Sequence, residues 1–229
     1  MDFLNTPLFG ILLSILAFEA GLLLYRKTQF PLCNPLLISI GIIIAVLLRF
    51  RISLDTFSRG GDYISFFLGP ATVVLAVPLY KQLDLLISNI RAILAGIAAG
   101  CLTSIVSVWG FIQFSPLKGS LGLSLIPKSI TTPIGVEVSK QIGGMPSLTV
   151  VAILITGIVG AVLSPVLCKV LRIKDKIAIG IAIGTSAHAL GTTKAVEMGE
   201  TEGAMSGLAI GVAGIFTVFL APLLIHLLQ

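Results

Sequence analysis

The stretch from Gly184 to Glu197 reads GTSAHALGTTKAVE. It places one histidine, one lysine, one glutamate and four hydroxyl side chains inside an otherwise apolar region. Ionisable side chains are expensive to bury at membrane depth, so they usually line a water-filled cavity or a substrate path rather than face lipid. In a membrane protein, this stretch would therefore indicate a polar site within the fold.

The composition is that of an integral membrane protein. Hydrophobic residues make up 56% of the chain and charged residues only 11%, and the mean hydropathy is +1.09. A helix needs about 20 apolar residues to cross the hydrocarbon core. Six runs approach that length: 4–24, 35–48, 63–80, 92–114, 148–167 and 204–228. We therefore predict an all-α, multi-pass membrane protein with about six spans in a single transmembrane domain over 1–229.

The basic residues indicate topology rather than a nucleic-acid partner. The densest basic cluster, 169–176, contains three lysines and one arginine beside an apolar run, and the positive-inside rule places such a cluster in the cytoplasm. We therefore interpret the net charge of +5 as loop charge and attraction to lipid headgroups, and we expect no nucleic-acid binding.

Two segments, 120–144 and 177–199, do not fit ordinary spans. Pro127 and Pro133 forbid a continuous helix in the first, and the second has a polar kink around His188 between apolar, glycine-containing stretches. Non-helical backbone at membrane depth is tolerated where protein or water covers it, and two such interruptions in corresponding positions indicate a transporter site. We expect 120–144 to return to its starting side as a re-entrant hairpin if 169–176 is cytoplasmic.

The two broken segments also echo each other in sequence. The runs 121–124 and 179–182 share an apolar-Gly-apolar pattern 58 residues apart, and Thr132 and Glu137 match Thr192 and Glu197 after a two-residue gap. The pattern favours internal repeats, although glycine-rich apolar sequence also produces such matches by chance.

Several long motifs occur in a fixed order: PKSITTPIG at 127–135, GGMPSL at 143–148, GTSAHALGTTKA at 184–195 and EGAMSGLA at 202–209. Together with FPLCNPLL and LGPATVVLAVPLY nearer the N-terminus, they resemble the LrgB/CidB membrane protein family over nearly the whole chain. The chain differs from the expected pattern at 135, 186–187 and 193–194; at Lys194 a point charge replaces the fork of an arginine.

The resemblance implies a bacterial cytoplasmic-membrane protein and leaves two kinds of function open. The family is named for holin-like and antiholin-like regulation of murein hydrolases and lysis. Its plastid relatives exchange glycolate and glycerate, and bacterial relatives are linked to pyruvate uptake. A small-carboxylate carrier with an indirect effect on lysis is the interpretation we favour, because two broken helices rich in hydroxyls have no use in a simple pore. The alternative is a holin-like or antiholin-like pore, or a scaffold acting with an LrgA/CidA-like partner.

A monocarboxylate requires one cation and several N–H or O–H donors in a small volume. Lys128 is the candidate for the carboxylate, and the half-helix N-terminus beside it can donate further hydrogen bonds. The predicted donors are Ser129, Thr131, Thr132, Thr185, Ser186, Thr192 and Thr193. Residues for close backbone approach or hinge motion are Pro127, Pro133, Gly143, Gly144, Gly184 and Gly191.

His188 is the candidate for proton coupling, because its ordinary pKa lies near neutrality. The alternative is a structural histidine with a satisfied hydrogen bond. For Glu137 and Glu197 we favour helix-surface pairs with Lys140 and Lys194 over a proton-carrying role.

We expect no enzymatic activity, because Ser186 and His188 point to different helix faces and no acid completes a triad. No metal motif occurs in the sequence, and we expect no cofactor. The expected partners are a small carboxylate, the lipid bilayer and a second copy of the chain.

Overall fold

A computed structural model describes residues 6–28, 33, 35–67, 70, 80–81 and 83–228. Regular structure in these residues is entirely α-helical, which confirms the predicted all-α class. The helices in chain order are α1 (Pro7–Thr28), α2 (Pro35–Phe50), α3 (Leu54–Phe66), α4 (Leu83–Phe114), α5 (Ser120–Leu123), α6 (Thr132–Gln141), α7 (Pro146–Val170), α8 (Lys176–Met198) and α9 (Glu200–Leu228).

Among the described residues, the helices long and apolar enough to cross a bilayer are α1, α4, α7 and α9. They confirm a multi-pass membrane protein and correspond to the predicted runs 4–24, 92–114, 148–167 and 204–228. The predicted run 35–48 coincides with α2, which is shorter at 16 residues. The predicted span 63–80 is not confirmed: its start belongs to α3, and most of the remainder lies outside the described residues. In the part of the chain that the structure describes, four long helices and one short one therefore correspond to five of the six predicted runs, and the count of six is not confirmed.

The chain divides into two compact units, residues 1–74 and 75–229. In the first unit, α1 packs against both α2 and α3. Gly10 and Gly60 bring the backbones of α1 and α3 together, since a Cβ added at Gly10 would lie 2.9 Å from the Gly60 Cα. The larger unit contains both of the unusual segments predicted from the sequence.

The first unusual segment, 120–141, folds back on itself, and we call it hairpin 1. Its first arm is α5 followed by consecutive turns, and its second arm is α6, which has a proline at its first turn. The Thr149 hydroxyl at the start of α7 ties the two arms together. It lies 2.9 Å from the Ser124 carbonyl oxygen in the first arm and 2.7 Å from the Ser139 hydroxyl in the second.

The second unusual segment is α8, which is also folded back, and we call it hairpin 2. Its backbone leaves helical geometry at His188, where φ is 42° and ψ is −140°, a conformation that L-residues rarely adopt. The arms before and after this residue, 176–187 and 189–198, pack on each other: a Cβ added at Gly191 would lie 2.9 Å from Ile183 Cγ2. A straight helix would separate those two residues by about 12 Å.

The contacts with α9 give the direction of each arm of hairpin 2. In the first arm, Gly180 faces Glu202 and Gly184 faces Ser206, so this arm runs parallel to α9. In the second arm, Thr192 faces Ser206 and Val196 faces Gly203, so this arm runs antiparallel to α9. Hairpin 2 therefore begins and ends at the same end of α9.

The connections place the two hairpins at opposite ends of the larger unit. Hairpin 1 begins after α4 ends and finishes where α7 begins, whereas hairpin 2 begins after α7 ends and finishes where α9 begins. Their tips nevertheless meet, because Ser129 in hairpin 1 and Thr185 in hairpin 2 line the same cavity beside Gly100 and Ser104 of α4. These two α4 residues lie in the middle third of a 32-residue helix.

Both predicted helix-surface ion pairs are confirmed. The Lys140 ammonium lies 2.7 Å from the Glu137 carboxylate in hairpin 1, and the Lys194 ammonium lies 2.7 Å from the Glu197 carboxylate in hairpin 2. Each pair is on the second arm of its hairpin, and the carboxylates are largely exposed to solvent.

The approach of hairpin 2 to α9 depends on Gly184. A Cβ at this position would overlap the Ser206 carbonyl oxygen and lie 2.9 Å from Ala209 Cβ. We expect Gly184→Ala to lower the free energy of unfolding by about 1–3 kcal/mol, measured by thermal unfolding of the purified protein in detergent. Gly110→Ala in α4 is the control, because a Cβ there meets nothing within 4 Å. Equal melting temperatures for the two variants would contradict this packing.

Candidate functional site

A cavity of about 790 Å³ lies between α4, the tip of hairpin 1 and the first arm of hairpin 2. One end is marked by Asn89 near the start of α4 and by Asp175 at the base of hairpin 2. The other end is formed by Lys128 and Ser129 at the tip of hairpin 1. The wall along α4 includes the small residues Ala92, Gly96, Gly100 and Ser104, which leave space between the helix and the hairpins.

The two charged residues of the cavity wall are in different electrostatic situations. The Asp175 carboxylate accepts a hydrogen bond from the Ala178 N–H at 2.8 Å and so caps the N-terminus of α8. Lys128 belongs to none of the ion pairs among the described residues. Its ammonium donates to the Ser129 hydroxyl at 3.1 Å. The cavity therefore ends at a half-buried cation that no carboxylate of the described residues neutralises.

Hydroxyl groups from three elements lie at this end of the cavity. The Ser129 hydroxyl, on a side chain only 7% exposed, lies 3.0 Å from the Ser104 hydroxyl of α4. Thr185 approaches from hairpin 2, where a Cβ added at Gly100 would lie 2.7 Å from its Cγ2. The Thr185 hydroxyl is buried and has no hydrogen-bond partner among the described residues. The site therefore combines the Lys128 cation, the unpaired Thr185 hydroxyl and a wall with small residues, and this combination suits a small anion.

The structure brings together four of the eight predicted binding residues. Lys128, Ser129, Thr185 and Ser186 line the cavity. Ser186 also donates to the carbonyl oxygen of Ala182 one turn earlier, at 2.7 Å.

The other four predicted binding residues lie away from the cavity wall. Thr131 and Thr132 begin α6. Thr192 is buried between hairpin 2 and α9, where it donates to the His188 carbonyl oxygen and accepts from the Ser206 hydroxyl. Thr193 is exposed and donates to the Leu190 carbonyl oxygen.

The predicted hinge residues have structural roles in the two hairpins. Pro127 and Pro133 flank the tip of hairpin 1, and Gly143 has a positive φ of 84° just after α6. Gly144 packs on the Ser124 backbone, since a Cβ there would lie 3.0 Å from the Ser124 Cα. Gly184 and Gly191 let hairpin 2 pack on α9 and on itself.

His188 forms the tip of hairpin 2 and is 4% exposed. Its Nε2 lies 2.9 Å from the Ile153 carbonyl oxygen in α7, so this nitrogen carries the proton and donates. The ring occupies a slot beside Gly157, where an added Cβ would lie 2.7 Å from Nε2. His188 therefore anchors the tip of hairpin 2 to α7 and does not line the cavity.

Residues of α4 form a wall of the site that the sequence did not predict as binding residues. Ala92, Gly96, Gly100 and Ser104 recur every four residues, which puts them on one helix face. A stripe of small residues that ends in a hydroxyl is a signal visible in the sequence. From the sequence alone, however, small residues at this spacing equally indicate close packing of one helix on another.

The fold and the cavity define a multi-pass membrane protein with two helical hairpins that meet beside an unpaired lysine. The LrgB-like family model matches residues 14–227, and the chain belongs to that family.

Relatives match over nearly their full length. The chain is 37% identical to the antiholin-like protein LrgB of Bacillus subtilis (strain 168) over 229 residues, which cover 100% of this chain and 99% of the relative. It is 38% identical to the uncharacterized protein YxaC of the same organism over 217 residues, 95% of this chain and 94% of the relative. A third relative, the antiholin-like protein LrgB of Bacillus mycoides (strain KBAB4), is 37% identical over 219 residues, 95% of each chain. No solved structure matches the chain.

The anchoring role of His188 can be measured directly. We expect His188→Leu to lower the free energy of unfolding by about 1 kcal/mol or more, because the hydrogen bond to Ile153 is lost. Gly157→Ala should also lower it by filling the slot that holds the ring. His226→Leu is the control, since His226 is exposed near the end of α9. Thermal unfolding in detergent that is unchanged in His188→Leu would contradict the anchor.

Proposed function

We propose that this protein is a secondary transporter of small monocarboxylates of the glycolate, glycerate, pyruvate or lactate type. The observation that carries the proposal is Lys128, a cation without a carboxylate partner where the two hairpins meet. A half-buried cation without a counter-ion favours an anion in that place. One lysine matches one negative charge, which favours monocarboxylates over dicarboxylates.

The paired hairpins support a carrier rather than a pore. Carriers commonly place their sites at discontinuous helices near the bilayer midplane, with the two halves entering from opposite sides. Here the tips meet beside the middle of α4, and the packed residues beyond them include Ile126 and Ile130, which are 1% and 2% exposed. These packed residues would block a continuous aqueous pore, whereas a carrier must be closed on one side of its site.

The basic residues give the cavity a direction. Lys169, Arg172, Lys174 and Lys176 surround the base of hairpin 2, and the positive-inside rule assigns that end to the cytoplasm. Asn89 and Asp175 lie at this end of the cavity. In our proposal the described conformation therefore opens towards the cytoplasm and hairpin 1 enters from outside, as a re-entrant segment.

We propose a proton as a coupling ion, with His188 as the candidate group. Because His188 anchors the tip of hairpin 2 to α7 rather than lining the cavity, a second proton on its ring would act through the position of that tip. The proposal assigns no catalysis to the chain and no cofactor.

The names of the relatives favour a second candidate, an antiholin-like pore or scaffold acting with an LrgA-like partner. In the carrier proposal the effect on lysis and on murein hydrolases is indirect, through carboxylate and proton balance. We also propose a homo-oligomer through α9, in which Gly207 and Gly211 have no neighbour within 4 Å of an added Cβ and could form a helix seam.

Removing the charge of Lys128 tests the carrier proposal. In liposomes containing the purified protein, we expect saturable uptake of labelled glycolate, lactate or pyruvate, stimulated by an inward proton gradient. Lys128→Met keeps the length of the side chain and should reduce uptake about 100-fold, because losing a charged hydrogen-bonding partner of a bound carboxylate costs roughly 2–3 kcal/mol. Lys118→Met, at an exposed lysine outside the cavity, should transport like the wild type.

The outcomes separate the candidate functions. Uptake that is equal in Lys128→Met and the wild type would contradict the proposed site. Leakage of an unrelated solute such as sucrose would favour the pore, and uptake that requires co-reconstitution with an LrgA-like protein would favour the partner-dependent scaffold.

A further inference from the structure

A small enclosed recess lies directly behind the cavity, between the two hairpin tips. Its volume is about 10 Å³, which is close to the space that a single water molecule or a small ion occupies. Four hydroxyl-bearing side chains line it, and each comes from a different element: Ser104 of α4, Ser129 of hairpin 1, Thr185 of hairpin 2 and Thr217 of α9. Ser104, Ser129 and Thr185 also line the large cavity, whereas Thr217 does not.

One side-chain oxygen at this recess is buried without a hydrogen bond from any described residue. It is the Thr185 hydroxyl oxygen, on a side chain only 5% exposed. Buried polar groups are nearly always satisfied, so an unpaired hydroxyl beside a small closed space lined by other hydroxyls indicates a bound ion or molecule there.

We infer that this recess is a binding site for a sodium ion that enters together with the carboxylate. Neutral hydroxyl and carbonyl oxygens at broken helices are the ligands that transporters use for sodium. A divalent cation is disfavoured, because Ca²⁺ and Mg²⁺ sites rely on carboxylates and none of the described residues that line the recess carries one. The volume of the recess favours Na⁺ over the larger K⁺.

The charge of Lys128 makes sodium binding depend on whether a carboxylate is bound. Its ammonium donates to Ser129, which is itself a ligand of the proposed site, so two positive charges would share one hydroxyl. A carboxylate bound to Lys128 would neutralise that charge and could also contribute an oxygen to the ion. Sodium and carboxylate should therefore strengthen each other's binding by the same factor.

This inference rests on the proposed carrier function and is independent of a proton at His188. It adds a fourth element to the site, since α9 contributes Thr217, and it assigns the unpaired Thr185 hydroxyl to the ion rather than to the substrate. The sodium ion would connect α4, both hairpin tips and α9, so its binding would favour the conformation in which those elements meet.

Thermal unfolding of the purified protein in detergent tests the site without transport. Ionic strength is held constant with choline chloride, and NaCl or KCl is titrated with and without glycolate or lactate at fixed pH. We expect Na⁺, but not K⁺, to raise the melting temperature, and the Na⁺ concentration for half the effect to fall at least threefold when the carboxylate is present. In liposomes, carboxylate uptake should rise with an inward Na⁺ gradient at equal pH on both sides.

Thr217→Val is the decisive variant, because it removes a hydroxyl from the recess and leaves the cavity wall intact. We expect it to raise the half-effective Na⁺ concentration at least tenfold while stabilisation by the carboxylate alone remains. Thr217→Ser keeps the hydroxyl and should retain the Na⁺ effect, which distinguishes a lost ligand from a general defect in folding. Thr201→Val, in the first turn of α9 and outside both the cavity and the recess, is the matched control.

The results distinguish failure of the recess from failure of the proposed function. Stabilisation by carboxylates with no difference between Na⁺ and K⁺ would overturn the sodium site and leave the carrier proposal standing. A Na⁺ effect unchanged in Thr217→Val would also overturn the site, because the ion would then bind elsewhere. A Na⁺ effect lost in Thr217→Val without any response to carboxylates would support the recess and contradict the proposed carrier.

Discussion

The meeting of the two hairpin tips beside α4 is the contact on which the site depends. Backbone N–H and C=O groups inside a bilayer must find partners within the protein, so a helix can stop at membrane depth only if another element covers its end. Here each tip is covered by the other and by α4, where Gly100 and Ser104 permit close approach to Thr185 and Ser129. Without the small side chains of α4, the tips would be held apart and the lysine would face a wider opening.

The two hairpins are held in place by different interactions. The base of hairpin 1 is tied to α7 by a buried network in which Thr149, Ser124 and Ser139 are all fully enclosed. Hairpin 2 lacks a comparable network at its first arm and packs on α9 through Gly180 and Gly184 instead. Its hydrogen bonds to other elements are concentrated near the tip and in the second arm, at His188 and Thr192. A helix packed through glycines can slide along its neighbour more easily than one held by buried hydrogen bonds. The first arm of hairpin 2 is therefore held less firmly than the base of hairpin 1.

Local chemistry explains why the sequence predicts part of this arrangement. Prolines at 127 and 133 forbid a continuous helix wherever they occur, and the polar run around His188 has no stable place facing lipid, so both breaks are visible without a structure. The i,i+3 pairs Glu137–Lys140 and Lys194–Glu197 are equally local, and both are present. The sequence echo between the segments falls on matching parts of the hairpins, with 121–124 and 179–182 in the first arms and Thr132 and Thr192 early in the second.

Long-range contacts limit what the same sequence could show about the site. Thr185 and Thr192 lie in one polar stretch and are equally plausible ligands on composition, but the reversal at His188 sends Thr185 to the cavity and Thr192 to α9. Which side of a hairpin faces a cavity depends on the direction of each arm, and that direction follows from packing between residues such as Gly184 and Ser206. The sequence gives no sign that Ser104 and Thr217 line a site, because a hydroxyl in a membrane helix can hydrogen-bond to its own helix backbone. Only the positions of the hairpin tips show that both residues line the same recess.

The lack of an acidic partner for Lys128 among the described residues is the feature on which the proposed carriage of an anion rests. A buried lysine that served only the fold would be more stable with a carboxylate beside it, since breaking such a pair leaves an uncompensated charge. The chain has acids at Glu137 and Glu197, but both are used on the outer faces of the hairpins. The Lys128 ammonium donates to the Ser129 hydroxyl, and a hydroxyl can both solvate the ammonium and turn its proton towards an incoming anion. An anion bound there, as we propose, would supply the negative charge that no described carboxylate gives to Lys128.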